Sequence, residues 1–291
     1  MAEASAFRLG CMTLPYAKQP FARALAGIAR AGYRAVALWP VHEGTAAFDP
    51  ERPGEAARLA AQLQRHGLQP VMLVGTQYLE PAQPLARAER ALAFAAEAGI
   101  PEVLTLGVWG YRRFPDEPLS SAEMAPKHAA FVERLRALAP TAARLGVTIT
   151  LKPHTGDTAT GPILANTLAE IDSPQVCASY DPGNVRFYEG LAPEADIEPL
   201  LASGPSAAPR LFSLIAKDHR GARAEADFPI PGEGEIDFAR LFARLREAGY
   251  TGPVVVERAD GRDRAPLAPE ELDRRLERAR VNLERLIAGA G

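Results

Sequence analysis

The chain has little cysteine and no long uninterrupted hydrophobic segment. Its 291 residues include two cysteines, Cys11 and Cys177, each within an apolar, strand-like stretch. We interpret them as buried thiols in a reducing cytosol. The segment MAEASAFRLG lacks the charged-then-apolar pattern of a signal peptide, and no apolar run reaches membrane-spanning length. We therefore expect a soluble, cytoplasmic protein with no membrane partner.

The chain also lacks an excess of positive charge. Its formal net charge is -3, and its basic residues do not form runs, so the composition does not indicate a nucleic-acid partner. Only four of the 33 basic residues are lysine: Lys18, Lys127, Lys152 and Lys217. A lysine inside a predicted strand therefore invites a specific explanation, since arginine is the usual cation of this chain.

Apolar strand-like runs alternate with helical spacing along the whole chain. The predicted strands cover 7–14, 33–39, 68–74, 102–109, 147–154, 175–181, 210–218 and 253–257. The predicted helices cover about 20–31, 51–66, 83–98, 121–145, 160–170, 194–203, 237–248 and 268–289. Several helices end on a glycine, which is a typical helix stop. Eight such units predict a single (β/α)8 TIM-barrel domain over residues 1–291.

A doubly wound open sheet is the alternative architecture. It is disfavoured because CMTLPYAKQP, rather than a G-x-G-x-x-G motif, follows the first strand. In a barrel the active site lies at the carboxyl ends of the strands, so the residues at those positions are the candidates for chemistry.

The segment VTITLKPH at 147–154 ends on a lysine that faces the interior. Val147, Ile149 and Leu151 form one face, and the other face ends on Lys152 and His154. A buried ammonium is costly unless an anion meets it. Asp181 and Glu257 end two other strands and also face inward by their spacing. Together with Lys217 they predict a charge-balanced cluster of two lysines and two carboxylates.

The other candidates follow from their positions at strand ends. Trp109 is interpreted either as a cap on the barrel core or as an aromatic platform for the apolar face of a sugar ring, and His42 either as loop surface or as pocket wall. Lys152 has an alternative role as a purely structural partner of the carboxylates. We expect His66 and His128 to be solvated. The candidates for substrate contact are His154, Asn184, Lys217, Trp109, His42 and Trp39.

The chain resembles the xylose isomerase-like TIM-barrel family, the sugar phosphate isomerases and epimerases, along nearly its whole length, and most specifically in its second half. The resemblance is carried by SYDPGNVRFYEG (179–190), AKDH (216–219), GEGEIDF (232–238) and GY-x-GP-x-x-x-E (249–257), in that order. The family implies one divalent cation held by Glu, Asp, His and Glu on strands five to eight. Asp181 and Glu257 match two of these positions. Lys152 and Ile215 stand at the other two, and an ammonium repels a metal rather than binding it.

The resemblance implies an isomerase or epimerase that transfers a proton on a small polyhydroxylated carbonyl compound. In the metal-independent form that we expect, Lys152, Asp181 and Glu257 are catalytic and no cofactor is needed. Glu257 or Asp181 takes the proton, and Lys152, with Lys217 or His154, stabilises the enediolate oxygen.

Three alternatives stay open. The first is a divalent cation (Mn, Mg or Zn) bound by a rebuilt site of His154, Asp181 and Glu257. The second is a lyase or aldolase that forms a Schiff base on Lys152, and the third is a non-catalytic sugar-binding homologue. Apurinic-site endonucleases share the barrel, but five scattered histidines and a net charge of -3 do not supply their zinc cluster and cationic DNA face. The family also allows a homo-oligomer.

Overall fold

Eight parallel strands close into a barrel in the computed structural model, which describes residues 7–201, 210–261 and 267–289. The strands follow chain order around the barrel, and the last pairs with the first, Arg8 lying opposite Pro253. This confirms the predicted (β/α)8 architecture. The strands are β1 (Arg8–Met12), β2 (Ala35–Leu38), β3 (Gln69–Val74), β4 (Glu102–Leu106), β5 (Thr148–Lys152), β6 (Val176–Tyr180), β7 (Leu211–Ala216) and β8 (Pro253–Val256).

Seven long helices of the described residues surround the barrel. They are α1 (Phe21–Arg30), α2 (Glu55–Arg65), α3 (Leu85–Glu97), α4 (Ser121–Leu145), α5 (Gly161–Ile171), α6 (Phe238–Glu247) and α7 (Pro269–Gly289). The limits of α4 show how the sequence sets them: Ser120 and Glu123 form a capping box, and Gly146 ends the helix at a φ of 66°. None of the helices in the described ranges combines the length and hydropathy needed to span a membrane.

Two predicted elements differ from the structure. Short helices at Pro193–Asp196 and Glu198–Leu201 replace most of the helix predicted for 194–203. Pro199 lies in the first turn of the second helix, where its missing N–H costs no helical hydrogen bond; residues 202 and 203 are outside the described ranges. The strand predicted for 102–109 ends at Leu106, because the Val108 amide donates to Asp157 Oδ1 at 2.7 Å and turns the chain away from the barrel.

The barrel interior is apolar near the middle and polar near Glu102, the first residue of β4. Oε1 of Glu102 accepts hydrogen bonds from the hydroxyls of Thr150 and Ser213, both at 2.6 Å, and the Ser179 hydroxyl lies 2.6 Å from that of Ser213. The carboxyl is fully buried, and Oε2 has no hydrogen-bond partner among the described residues. Burial raises the pKa of Glu102 to about 7, although the hydroxyl donors act in the opposite direction.

Candidate active site

Charged side chains from four consecutive strands meet at the carboxyl end of the barrel. Lys152 is the last residue of β5, and Asp181, Lys217 and Glu257 directly follow β6, β7 and β8. Each is less than a tenth exposed. Lys152, Lys217 and Glu257 line a cavity of about 710 Å³, within the usual range of roughly 300–1,000 Å³ for small-molecule sites, and Asp181 lies beneath them.

These four residues, which we call the charge quartet, form a closed set of ion pairs. Lys152 Nζ lies 2.5 Å from Glu257 Oε2 and 3.1 Å from Asp181 Oδ2. Lys217 Nζ lies 2.8 Å from Glu257 Oε1 and 2.8 Å from the same Asp181 Oδ2. Two ammonium groups thus bridge two carboxylates, and the formal charges cancel. The two carboxylates therefore offset the free-energy cost of burying the Lys152 ammonium.

The ion pairs keep Lys152 and Glu257 charged despite their burial. Burial by itself lowers the pKa of Lys152, but the attraction of Glu257 and then Asp181 outweighs it, so the pKa is raised above its usual value. Burial likewise raises the pKa of Glu257, but Lys152 and Lys217 reverse this and hold it well below the usual range. Lys152 is therefore a cation at neutral pH and a poor nucleophile.

The YDPGN motif builds the support of the quartet. Asp181 Oδ1 accepts from the Asn184 amide at 2.9 Å and caps the short helix Pro182–Asn184. Asn184 Oδ1 then accepts from Lys217 Nζ at 2.6 Å, and its Nδ2 donates to the Pro153 carbonyl at 2.6 Å. A Cβ at Gly183 would lie 2.6 Å from the Lys217 carbonyl oxygen. The motif therefore fixes Lys217 through both its ammonium and its backbone.

His154 forms a second, neutral polar pair in the cavity. Its Nε2 lies 2.9 Å from the Tyr188 hydroxyl, and the Trp109 ring packs 5.0 Å from the imidazole. Burial, with added repulsion from Lys152 and Lys217, lowers the pKa of His154 to about 3, and burial raises that of Tyr188 to about 12. At neutral pH the hydroxyl thus keeps its proton and donates it to a neutral imidazole.

The family model of the xylose isomerase-like TIM barrel matches residues 25–278. The chain belongs to the xylose isomerase-like TIM-barrel family. No curated protein matches the sequence significantly. Solved structures of the same fold include a xylose isomerase domain protein from Alicyclobacillus acidocaldarius, with 24% identity over 98% of this chain and 99% of that one and a TM-score of 0.72.

Two further structures of this fold are sugar epimerases. D-allulose 3-epimerase from Methylomonas sp., in complex with D-allulose, is 20% identical over 98% of this chain and 99% of its own, with a TM-score of 0.69. D-psicose 3-epimerase from Clostridium cellulolyticum H10, with D-tagatose, is 14% identical over 97% of this chain and 99% of its own, with a TM-score of 0.73. At these identities the likeness establishes the fold alone.

The residues present do not fit the divalent cation that the family implies. The oxygens of Asp181 and Glu257 that face each other are already bridged by ammonium groups. Ile215, at the family's histidine position, is fully buried in the apolar barrel interior. His154, which the alternative metal site requires, is paired with a tyrosine hydroxyl. Within the described ranges, no group of three or more His, Cys, Asp or Glu side chains is arranged to hold a metal ion.

Most of the residues predicted to contact substrate line the cavity, but His42 does not. His154, Asn184, Lys217 and Trp39 line the cavity. His42 is only 3% exposed and does not line it. Two backbone carbonyl oxygens each lie 3.1 Å from Nδ1 of its ring, and the Thr13 hydroxyl lies 3.2 Å from Nε2 on the other side. These contacts give His42 a structural role.

Two other aromatic residues are placed differently from their predictions. Trp109 packs beside His154 but is not among the residues that line the cavity, and it is 40% exposed. His128, expected to be solvated, lies between Asp157 Oδ2 at 3.1 Å and Glu170 Oε2 at 3.0 Å. It therefore connects α4 to the loop that follows Lys152 and to α5.

Sequence reasoning missed Tyr188 and the residues at the cavity mouth. Tyr188 lies four residues after Asn184 in the same motif, so helical spacing from the asparagine was a usable signal. Arg258 lies beside Glu257, with its guanidinium 4.3 Å from the centre of the Phe228 ring and paired with Asp260. It lies two residues after the end of β8, but arginine is too common in this chain for its position to have singled it out.

Proposed function

We propose that this protein is an isomerase or epimerase that moves a proton on a small hydroxycarbonyl compound, with lysine ammonium groups in place of a metal ion. The charge quartet carries this proposal. It puts a buried carboxylate beside two fixed cations at the mouth of the barrel, where this fold has its active sites. An enediolate intermediate needs such a base next to such cations.

Glu257 is the base in this proposal. It lines the cavity, whereas Asp181 is fully buried and does not. In the resting quartet Glu257 is a weak base, because both lysines hold its pKa low. When the substrate oxygen takes Lys152 Nζ from Glu257, the carboxylate loses one cation and its pKa rises. Substrate binding thus activates the base and supplies the ammonium to the developing oxyanion in one step.

The remaining groups hold a cation beside Glu257 and transfer a proton between substrate oxygens. Lys217 stays fixed by Asp181 and Asn184 and keeps one cation on Glu257. The Tyr188 hydroxyl, oriented by His154, gives its proton to one substrate oxygen as it takes the proton of the neighbouring substrate hydroxyl, so that its own protonation is unchanged. Schiff-base chemistry on Lys152 is not favoured, because its neighbours keep the ammonium protonated.

A non-catalytic sugar-binding protein is the second candidate function. It is favoured by the completeness of the quartet, in which each charge already has a partner of opposite sign. Such a cluster also serves as a stable, neutral floor for a binding cavity. This candidate predicts ligand binding without any proton exchange.

The test compares Lys152→Met with Lys127→Met, a matched substitution at an exposed position of α4. Chelator-dialysed protein, with its metal content measured by mass spectrometry, is incubated with D-allulose, D-fructose and D-tagatose in D2O. Proton NMR then follows deuterium uptake at the carbons next to the carbonyl. We expect the loss of one oxyanion donor to reduce the rate about 10²- to 10³-fold in Lys152→Met alone. Thermal unfolding checks that each variant is folded. The double variant Lys152→Met/Glu257→Gln loses one positive and one negative charge, so the buried cluster stays neutral, and it must also be inactive.

Four results contradict the proposal. Full activity in Lys152→Met refutes the role of the ammonium, and activity that appears only after Mn, Mg or Zn is restored refutes metal independence. If borohydride traps a Schiff base between Lys152 and a carbonyl compound, the protein is a lyase. Binding without deuterium uptake identifies the sugar-binding protein.

A further inference from the structure

The cavity has two chemically different sides. The ends of β5 to β8 supply the charge quartet, together with His154 and Tyr188. The ends of β1 to β4 supply an apolar surface, which we call the apolar wall. The apolar wall consists of Met12, Leu14, Trp39, Val74, Leu104 and Leu106.

The apolar wall is continuous with the barrel core. Met12, Val74 and Leu104 are at most 5% exposed and belong to the buried cluster inside the barrel, and Leu14 and Trp39 pack against that cluster. Leu106 lies in register with Lys152 on the neighbouring strand. The wall therefore begins one strand away from the ammonium of the quartet and extends across the four strands that carry no charge at the site.

The oxygens of the two threonine hydroxyl groups near the wall accept hydrogen bonds from backbone amides. Thr13 Oγ1 accepts from the Trp39 amide at 2.9 Å, and Thr76 Oγ1 accepts from the Leu106 amide at 3.3 Å. Other polar side chains on this side, Lys18, Gln77 and Glu80, belong to the loop and helix that follow β1 and β3. The wall itself consists of hydrocarbon, thioether and indole surface.

We propose, as an extension of the proposed function, that the substrate is a hydroxycarbonyl compound with an alkyl or aryl group, not a fully hydroxylated sugar. Its carbonyl and hydroxyl oxygens face the quartet, and its hydrocarbon part lies on the apolar wall. A sugar hydroxyl pressed against this wall gives up water and gains no partner from the wall side chains. A hydrocarbon group in the same place gains from the loss of its contact with water.

The first experiment compares two six-carbon α-hydroxyketones, D-fructose and 1-hydroxyhexan-2-one, with 2-hydroxyacetophenone as an aryl probe. Isothermal titration calorimetry with the wild-type protein gives their dissociation constants. We expect 1-hydroxyhexan-2-one and the aryl probe to bind at least about tenfold more tightly than D-fructose, since each buried methylene contributes roughly fourfold and two of them exceed this factor. Equal or tighter binding of D-fructose overturns the inference.

A pair of variants assigns the preference to the wall. Leu106→Asn places an amide on the wall at a half-buried position, and Leu191→Asn makes the same change at a residue that is 43% exposed and outside the cavity lining. We expect Leu106→Asn to reduce the preference for 1-hydroxyhexan-2-one several-fold and Leu191→Asn to leave it unchanged. An unchanged preference in a folded Leu106→Asn variant, checked by thermal unfolding, overturns the inference.

Deuterium uptake separates this inference from the proposed function. Exchange on D-fructose without any preference for the alkyl compound leaves the proton transfer in place and refutes the apolar substrate. A Leu106-dependent preference in binding, with no exchange on any of the probes, supports the apolar ligand and refutes the catalytic function.

Discussion

Glu102 gives the barrel a pH-dependent stability that a single amide substitution removes. The carboxyl is buried, and burial raises its pKa from 4.5 to about 7. The folded protein therefore holds a proton on Glu102 that the unfolded chain releases above its ordinary pKa. The stabilisation by this proton is complete below about pH 4.5 and is lost as the pH rises through about 7. The difference in pKa corresponds to roughly 3 kcal/mol in the free energy of unfolding.

Glu102→Gln keeps the shape of the side chain and the acceptor for Thr150 and Ser213 but cannot ionise. We expect it to match the wild-type stability within about 1 kcal/mol at pH 5 and to exceed it by up to roughly 3 kcal/mol at pH 8. Urea denaturation at both pH values measures the difference. Glu277→Gln, at an exposed position of α7, is the matched control. If the stabilities of the Glu102→Gln variant and the wild type change equally with pH, the argument from burial is wrong.

Three further predictions concern other parts of the structure. Lys217→Met leaves two buried carboxylates with one ammonium, so we expect the free energy of unfolding in urea to fall by about 3–5 kcal/mol; an unchanged value contradicts the ion-pair geometry. Gly161→Ala puts a Cβ in steric conflict with the Asp196 carbonyl oxygen, so we expect overpacking to lower the free energy of unfolding in urea by about 1–3 kcal/mol; an unchanged value means that the start of α5 shifts freely. Burial lowers the pKa of His128, but Glu170 and Asp157 more than offset this and raise it, so its contribution is present below its ordinary pKa and is lost as the pH rises through the folded value. His128→Gln should therefore destabilise the protein by up to about 1 kcal/mol at pH 5.5 and less at pH 9, and an equal loss at both pH values refutes this.

The strand–helix alternation was sufficient to predict the barrel. Parallel strands covered on both faces read as continuous apolar runs, and each of the eight predicted runs contains a barrel strand. Errors arose where a local effect overrides the pattern, as with Pro199 in the segment after β6. The strands were also shorter than the predicted apolar runs, because loop contacts, such as that of Asp157 with the Val108 amide, turn the chain away from the barrel.

The candidate site was predictable where one residue type is unusual for its position. A lysine at the end of an apolar strand called for anionic partners, and the structure places Asp181 and Glu257 beside it. His42 was not distinguishable in this way, because its backbone partners are distant along the chain and leave no local pattern. The apolar wall was also missed, since Met12, Val74 and Leu104 look like ordinary core residues until the cavity beside them is seen.

The order of the charged residues along the chain has a consequence for folding. All four members of the quartet come from β5 to β8, the second half of the barrel, and Lys217 and Glu257 are only 40 residues apart. The half of the chain that a ribosome releases first therefore carries none of these four charges. The second half therefore contains both ammonium groups and both carboxylates of the quartet, so it needs no residue of β1 to β4 to neutralise them.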